Sequence, residues 1–109
     1  MTKFLPLLIN EINFNIFKDI SVEYHNELYG HLEATELLAD FESTQPKKPY
    51  KRYDKNNKIK NEEPPFSRFI RHQIHHPENK LNKSFNEAEL EQSIKEMRKF
   101  IIAQKTQNN

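Results

Sequence analysis

The chain contains no cysteine among its 109 residues. Disulfide bonds and thiolate chemistry are therefore excluded, and a reducing, intracellular compartment is expected. Glycine occurs only once, at Gly30. Phosphate-binding loops need several close glycines so that the backbone can approach the phosphates, which excludes a P-loop and a dinucleotide-binding fingerprint. If the protein works with a nucleotide-driven motor, that motor belongs to another chain or domain.

Long hydrophobic runs are also missing. The start "MTKFLPLLIN" is basic and then apolar, as in a signal peptide, but Asn10, Glu11 and Asn13 interrupt the run and no small-residue cleavage site follows. No apolar stretch approaches the roughly 20 residues that span a membrane. We therefore expect a soluble, cytoplasmic protein with no membrane partner.

Charge of one sign does not dominate the composition. Seventeen basic and sixteen acidic residues give a net charge of +1, so any preference for a charged partner must be local. Hydrophobic residues make up 35% of the chain and charged residues 30%. For a chain this short, these values predict one domain with a thin core, or a core that a partner completes.

The first part of the chain, residues 1–42, predicts helices. Apolar residues recur mostly every four positions over residues 3–29, which suits a helix that breaks near residues 18–21. Asp19 or Ser21 would cap a new helix, and Gly30 would end it. The stretch "HLEATELLADF" predicts a further short helix. A competing signal lies in residues 12–16, where "INFNI" alternates as a strand does.

Residues 43–65 break all helical periodicity. Four prolines and many lysines and asparagines predict a linker or a long basic loop, with a charge of +6 over residues 47–60. Basic residues would neutralise phosphates, and tyrosines between them would stack on unpaired bases. The nucleic-acid-binding candidates in this loop are Lys47, Lys48, Tyr50, Lys51, Arg52 and Tyr53. The alternative is a solvated, disordered linker with no partner.

The last part, residues 66–105, predicts a pair of helices. The first would begin at Phe66 and stop by Pro77. The second would begin at Asn86, which with Glu89 has the spacing of a capping box. Its apolar seam consists of Leu90, Ile94, Met97 and Ile101. The fold prediction is all-α: a small helical bundle with the basic loop between its N- and C-terminal helices.

Five basic residues, including three histidines, crowd the stretch "SRFIRHQIHHPEN". On a helical wheel of about 100° per residue, all five point away from the apolar stripe of Phe66, Ile70 and Ile74. These five residues are Arg68, Arg71, His72, His75 and His76. The simplest interpretation is a solvated polar face near a helix C-terminus, where the helix dipole favours positive charge. Zinc binding by His72 and His76 is a second interpretation, although the sequence shows no third ligand.

The third interpretation is RNA cleavage. A histidine takes the proton from a ribose 2′-hydroxyl or gives one to the leaving 5′-oxygen, and an arginine stabilises the phosphate. This chemistry needs no metal and no other cofactor. One helix supplies few such groups, but a two-fold dimer would double them.

The stretch "RHQIHH", Arg71 to His76, resembles the motif of the HEPN superfamily, an Arg followed after four to six residues by a His. His72 fits the position after the Arg, and Arg68 to His75 is a second frame with six intervening residues. The resemblance implies an all-α, commonly dimeric, metal-independent ribonuclease of toxin–antitoxin or anti-phage defence systems. The segment "EYHNELYGHL" is similar to one that precedes the nuclease-like region of large anti-phage ATPases. On this resemblance the chain is similar to the C-terminal region of such ATPase-linked nucleases, and an ATPase or antitoxin protein is an expected partner.

Together these patterns predict a HEPN-like endoribonuclease that acts on RNA, with tRNA as the substrate implied by the resemblance, and that works as a homodimer. Arg71 would hold the scissile phosphate, and Arg68 would contribute to RNA binding. His76 would be the acid/base, with His72 or His75 supporting it. The alternative is a non-catalytic module that binds an ATPase or nuclease through the seam from Leu90 to Ile101.

Overall fold

A computed structural model describes residues 20–107 of the chain. Helix α1 spans Val22–Ala34, and Ser21 caps its N-terminus by accepting a hydrogen bond from the backbone N–H of Tyr24 at 3.1 Å. The prediction that Ser21 could cap a new helix is confirmed. The predicted helix before residue 20 and the strand-like run at 12–16 lie outside the described residues.

Gly30 does not end helix α1, contrary to the prediction. The helix continues for another turn because Leu32, beyond the glycine, is fully buried in the core. The reversal comes at Glu36, whose φ of 61° is left-handed. A short helix α2 follows at Leu38–Glu42. The predicted helix "HLEATELLADF" is therefore divided between the end of α1 and most of α2.

The all-α prediction is wrong, because the described chain contains a two-stranded antiparallel sheet. Strand β1 is Tyr50–Tyr53 and strand β2 is Ile59–Glu62. Tyr50 pairs with Glu62, and Tyr53 pairs with Ile59. The segment predicted as a linker or mobile loop is thus a hairpin, since its aromatic and β-branched residues lie on either side of a turn.

The turn of the hairpin is built from polar residues that bind their own backbone. The Asp54 carboxylate accepts hydrogen bonds from the backbone N–H groups of Asn56 and Lys58, at 2.8 and 3.0 Å. Asn57 adopts a left-handed φ of 62°, a conformation that asparagine tolerates better than most residues. The lysine- and asparagine-rich composition therefore encodes a specific turn.

Two further helices complete the described fold. Helix α3 spans Phe66–His75 and ends before Pro77, as predicted. Helix α4 spans Glu87–Gln107. The predicted capping box is confirmed, because Asn86 Oδ1 accepts from the N–H of Glu89 at 2.8 Å while the Glu89 carboxylate accepts from the N–H of Asn86 at 3.0 Å.

The core lies where α1 and α4 pack together and α3 crosses them. Its apolar side chains come from both halves of the chain, as predicted, and include Leu28, Leu32, Phe41 and Ile70. The predicted seam of α4 is inside this core: Leu90, Ile94, Met97 and Ile101 are at most 6% exposed. Because the chain's own helices cover the seam, it is not a free surface for a partner protein. Over residues 20–107, no helix combines the length and apolar character needed to cross a bilayer.

Candidate functional site

A groove of about 1000 Å³ lies between the hairpin and helix α3. It brings together residues from both regions that the sequence had singled out. The groove is lined from the hairpin and its flanks by Lys47, Tyr50, Arg52 and Tyr53, from α3 by Arg68 and His72, and from the residue after α3 by His76. Three carboxylates, of Glu62, Glu63 and Glu78, also line it. The hairpin and the Arg/His helix therefore form one site.

A second, smaller depression of about 380 Å³ shares residues of α3 with the groove. All five basic residues of the Arg/His cluster line it, together with Tyr29 and Glu33 of α1. Arg68, His72 and His76 line both hollows. Arg68 and His72 are four positions apart on α3 and so lie on one face of it, and His76 follows at the end of the helix. Arg71 and His75 line only the depression.

Arg71 packs against helix α1. Its guanidinium lies over the Tyr29 ring, 4.4 Å from the ring centroid, and one nitrogen lies 3.7 Å from the Glu33 carboxylate. The side chain is only 25% exposed. The helical wheel placed Arg71 opposite the apolar stripe of α3, but it could not show that α1 covers this side.

Arg68 is held by a buried carboxylate. Two of its nitrogens donate to the two oxygens of Glu42, with Nε at 3.0 Å, and Glu42 also accepts from the Tyr29 hydroxyl at 2.9 Å. The Glu42 hydrogen bonds raise the pKa of Arg68. Burial is the main reason that the pKa of Tyr29 is raised to about 12. Glu42 thus fastens α2 to both α1 and α3.

His72 stacks on the floor of the groove. Its ring lies 5.0 Å from that of Tyr50, at an interplanar angle of 32°. Burial lowers the pKa of His72, so its ring is neutral at neutral pH. Tyr50 is 3% exposed and its hydroxyl accepts a hydrogen bond from Asn79 at 3.1 Å. Tyr50 therefore supports His72 and does not offer a face to a base.

His76 lies just beyond the end of α3. Its Nδ1 is 3.2 Å from the Glu78 carboxylate, and its side chain is 57% exposed. The Asn79 amide donates to the backbone carbonyl of Lys51 at 2.9 Å, which attaches this turn to strand β1. His75, the last residue of α3, is exposed and points into the smaller depression.

The predicted RNA-binding residues of the hairpin differ in availability. Tyr53 is 55% exposed at the rim of the groove, and Lys47 is exposed and lines it. Arg52 lines the groove with its Nε 3.0 Å from Glu62. Lys48 lies over the Phe66 ring at 5.8 Å from the centroid. Lys51 is exposed but does not line the groove.

The structure adds polar residues that the sequence did not single out. Glu62 binds Arg52 and Glu42 binds Arg68, and both arginines belong to the predicted site. His25, which the sequence did not single out, is fully buried and lies 2.7 Å from Ser93 on α4. Ser93 in turn shares a hydrogen bond with Ser67 at the start of α3. No local signal marks the pairs of Glu42 with Arg68, His25 with Ser93, and Ser67 with Ser93, because their partners are 26 to 68 residues apart in the chain.

Among residues 20–107, no group of three or more histidine or acidic side chains is arranged to bind a metal ion. No family model, curated protein or solved structure matches this chain.

Proposed function

We propose that this protein binds single-stranded RNA in the groove between the hairpin and helix α3, and cleaves it there without a metal. The observation that carries the proposal is the convergence of two histidines with basic and aromatic side chains of a distant segment. His72 lies on α3 and His76 directly follows it. Lys47, Arg52 and Tyr53 come from the hairpin region, and all five residues line the same groove.

Binding would combine charge with stacking. Lys47 and Arg52 face the groove, and the exposed ring of Tyr53 at its rim offers a surface for one unpaired base. Three carboxylates also line the groove and offset part of its positive charge, so charge alone would not account for affinity for RNA. A base paired in a duplex has no free face for Tyr53, which favours a single strand as the ligand.

The two histidines have different surroundings, which suits the two proton transfers of RNA cleavage. His72 is half-buried and neutral, so it would accept the proton of the ribose 2′-hydroxyl. The 2′-oxygen then attacks phosphorus, and the bond from phosphorus to the 5′-oxygen breaks. His76 would donate a proton to that oxygen. The products are a 2′,3′-cyclic phosphate and a 5′-hydroxyl.

This mechanism differs from the one predicted from the sequence in its phosphate contact. Arg71 lines the neighbouring depression, where Tyr29 and Glu33 hold it. The groove instead offers Lys47 and Arg52. The resemblance to HEPN proteins implied an all-α fold, which the hairpin contradicts, so the proposal rests on the groove. All of its residues come from one chain, and a two-fold dimer is not required.

The alternative function was protein binding through the α4 seam. The seam residues are buried in the chain's own core, so this surface would require the fold to open. The buried seam therefore does not favour binding of a partner protein at this surface.

The test is an RNA cleavage assay in EDTA with total tRNA, a single-stranded oligonucleotide and the same oligonucleotide in a duplex. His72→Gln and His76→Ala should each reduce cleavage about 100-fold or more, the usual contribution of an acid/base group. His75→Gln is the matched control, because it changes a histidine of the same helix that does not line the groove. Cleavage should leave cyclic phosphate ends on the single strand.

Three results would overturn the proposal. The wild type could fail to cleave any RNA, its cleavage could require a divalent metal, or His72→Gln and His76→Ala could cleave as fast as the wild type and His75→Gln. Thermal unfolding of each variant shows whether a loss of activity reflects a loss of fold.

A further inference from the structure

The turn after helix α3 carries the groove's most exposed histidine. His76 has left the helical conformation, with φ −128° and ψ 62°, and Pro77 follows it. The N–H of Asn79 donates to the His76 carbonyl at 3.0 Å, which closes a turn over Pro77 and Glu78. This turn brings the Glu78 carboxylate to 3.2 Å from Nδ1 of His76.

The turn is attached to the hairpin on the other side of the groove. The Asn79 amide donates both to the Tyr50 hydroxyl and to the Lys51 carbonyl, at 3.1 and 2.9 Å. Asn82 adds two hydrogen bonds to the Lys51 backbone, each at 2.8 Å. These contacts set the position of Glu78 relative to strand β1 as well as to α3.

We infer that Glu78 is the positioning residue of His76, and that it selects which ring nitrogen faces RNA. An ionised carboxylate only accepts hydrogen bonds, so the proton of the neutral ring lies on Nδ1. Nε2 is then the nitrogen left for substrate. This inference rests on the proposed function, because the role matters only if His76 transfers a proton.

The orientation fits the step assigned to His76. The protonated ring donates from Nε2 to the leaving 5′-oxygen and keeps its Nδ1 proton, which stays hydrogen-bonded to Glu78. The carboxylate takes no proton; its charge offsets that of the imidazolium before transfer. Hydrogen bonds, first that of its own backbone and then that of His76, lower the pKa of Glu78, so it is ionised throughout the neutral range.

The chain offers a matched control for this role. Glu63 also lines the groove and is exposed, but within the described residues it makes no ion pair with a histidine. Glu78→Ala and Glu63→Ala therefore remove the same charge from the same groove, and only Glu78→Ala removes the partner of His76. Glu78→Asp keeps the carboxylate on a shorter side chain.

The experiment has two readouts on the full chain. Nitrogen-15 NMR of the histidine rings, at a pH where they are neutral, should show the His76 proton on Nδ1 in the wild type and in Glu63→Ala. In Glu78→Ala the proton should move toward Nε2. Kinetics with the single-stranded RNA should show kcat about fivefold lower in Glu78→Ala, the effect expected of so exposed a pair, with KM unchanged. Glu78→Asp should restore part of kcat.

The two proposals fail in different ways. If the wild type does not cleave RNA, the proposed function fails, while the NMR spectra still test the orientation of His76. If the wild type cleaves RNA but Glu78→Ala matches Glu63→Ala in both ring tautomer and kcat, the positioning role of Glu78 is wrong.

Discussion

Acid should weaken the fold through His25, a histidine with no role in the proposed site. Its ring is fully buried between α1 and α4, with Nε2 2.7 Å from Ser93 Oγ, and Nδ1 has no hydrogen-bond partner. Burial, and then the charge of Arg71, lower the pKa of His25 from 6.5 to about 4. The prediction therefore compares the free energy of unfolding at pH 7.5 with that at pH 4.

The sign follows from where each state takes up the proton. The unfolded chain protonates His25 as pH falls through about 6.5, but the folded chain does so only near pH 4. Stability linked to His25 is therefore fully present above pH 6.5 and is lost between pH 6.5 and 4. A difference of about 2.5 pKa units, at about 1.4 kcal/mol each, amounts to about 3.5 kcal/mol. About 3 kcal/mol of this is lost by pH 4, where the folded-state His25 is half protonated.

The assay is urea unfolding at a series of pH values, with wild type beside His25→Gln. The variant loses stability at pH 7.5, by about 1–3 kcal/mol, because a buried hydrogen bond is disturbed. Its stability should then fall about 3 kcal/mol less than that of the wild type on acidification. Since carboxylates protonate in the same range in both proteins, the difference isolates His25.

His75→Gln serves as the control, since it removes an exposed histidine. Its pH profile should follow that of the wild type. If His25→Gln and the wild type lose stability in parallel from pH 6.5 to 4, His25 does not titrate as its burial requires, and the reasoning is refuted.

Three further predictions concern local contacts, each measured by urea unfolding. Glu42→Gln should lower the free energy of unfolding by about 1–2 kcal/mol, because it disrupts the two hydrogen bonds from Arg68. Glu33→Gln should lower it by under about 1 kcal/mol, because Glu33 is half exposed and lies 3.7 Å from Arg71. Equal losses in the two variants would contradict the difference in burial. Asn57→Ala should destabilise the hairpin by about 1 kcal/mol, because the left-handed φ of 62° is less favourable for alanine than for asparagine, whose polar side chain can hydrogen-bond locally. Asn57→Gly should be tolerated, and an Ala variant as stable as the wild type would contradict this. Asn86→Ala should lower the free energy of unfolding by about 1 kcal/mol, because it removes the side chain that caps α4. An unchanged free energy of unfolding would mean that the capping box is not formed in solution.

Local signals in the sequence were sufficient for several helix boundaries. Ser21 and Asn86 cap helices because their side chains accept from N–H groups three residues ahead. Pro77 ends α3 through its effect on the preceding residue. The periodic apolar residues of α4 are buried as predicted, because a helix presents every third or fourth side chain to the same neighbour.

The hairpin was missed although its signal is present. Tyrosines and isoleucine, which favour strands, flank "DKNNK", and asparagine at the left-handed position is typical of a turn. Proline, lysine and asparagine content over the whole segment outweighed these few residues and predicted a linker. The prolines lie outside the two strands, so they do not interrupt the hydrogen-bond ladder.

The sequence by itself determined several helix boundaries, those at Ser21, Pro77 and Asn86, and which face of α4 is buried. It also predicted two candidate regions, the Arg/His cluster and the basic segment. These properties depend on neighbours within a turn or two. Only the tertiary structure decided that the two regions share a groove, that Arg71 packs on α1, and that Tyr50 supports His72. These contacts join residues 22 to 42 positions apart, and they form because the hairpin, α1 and α3 bury their faces against one another.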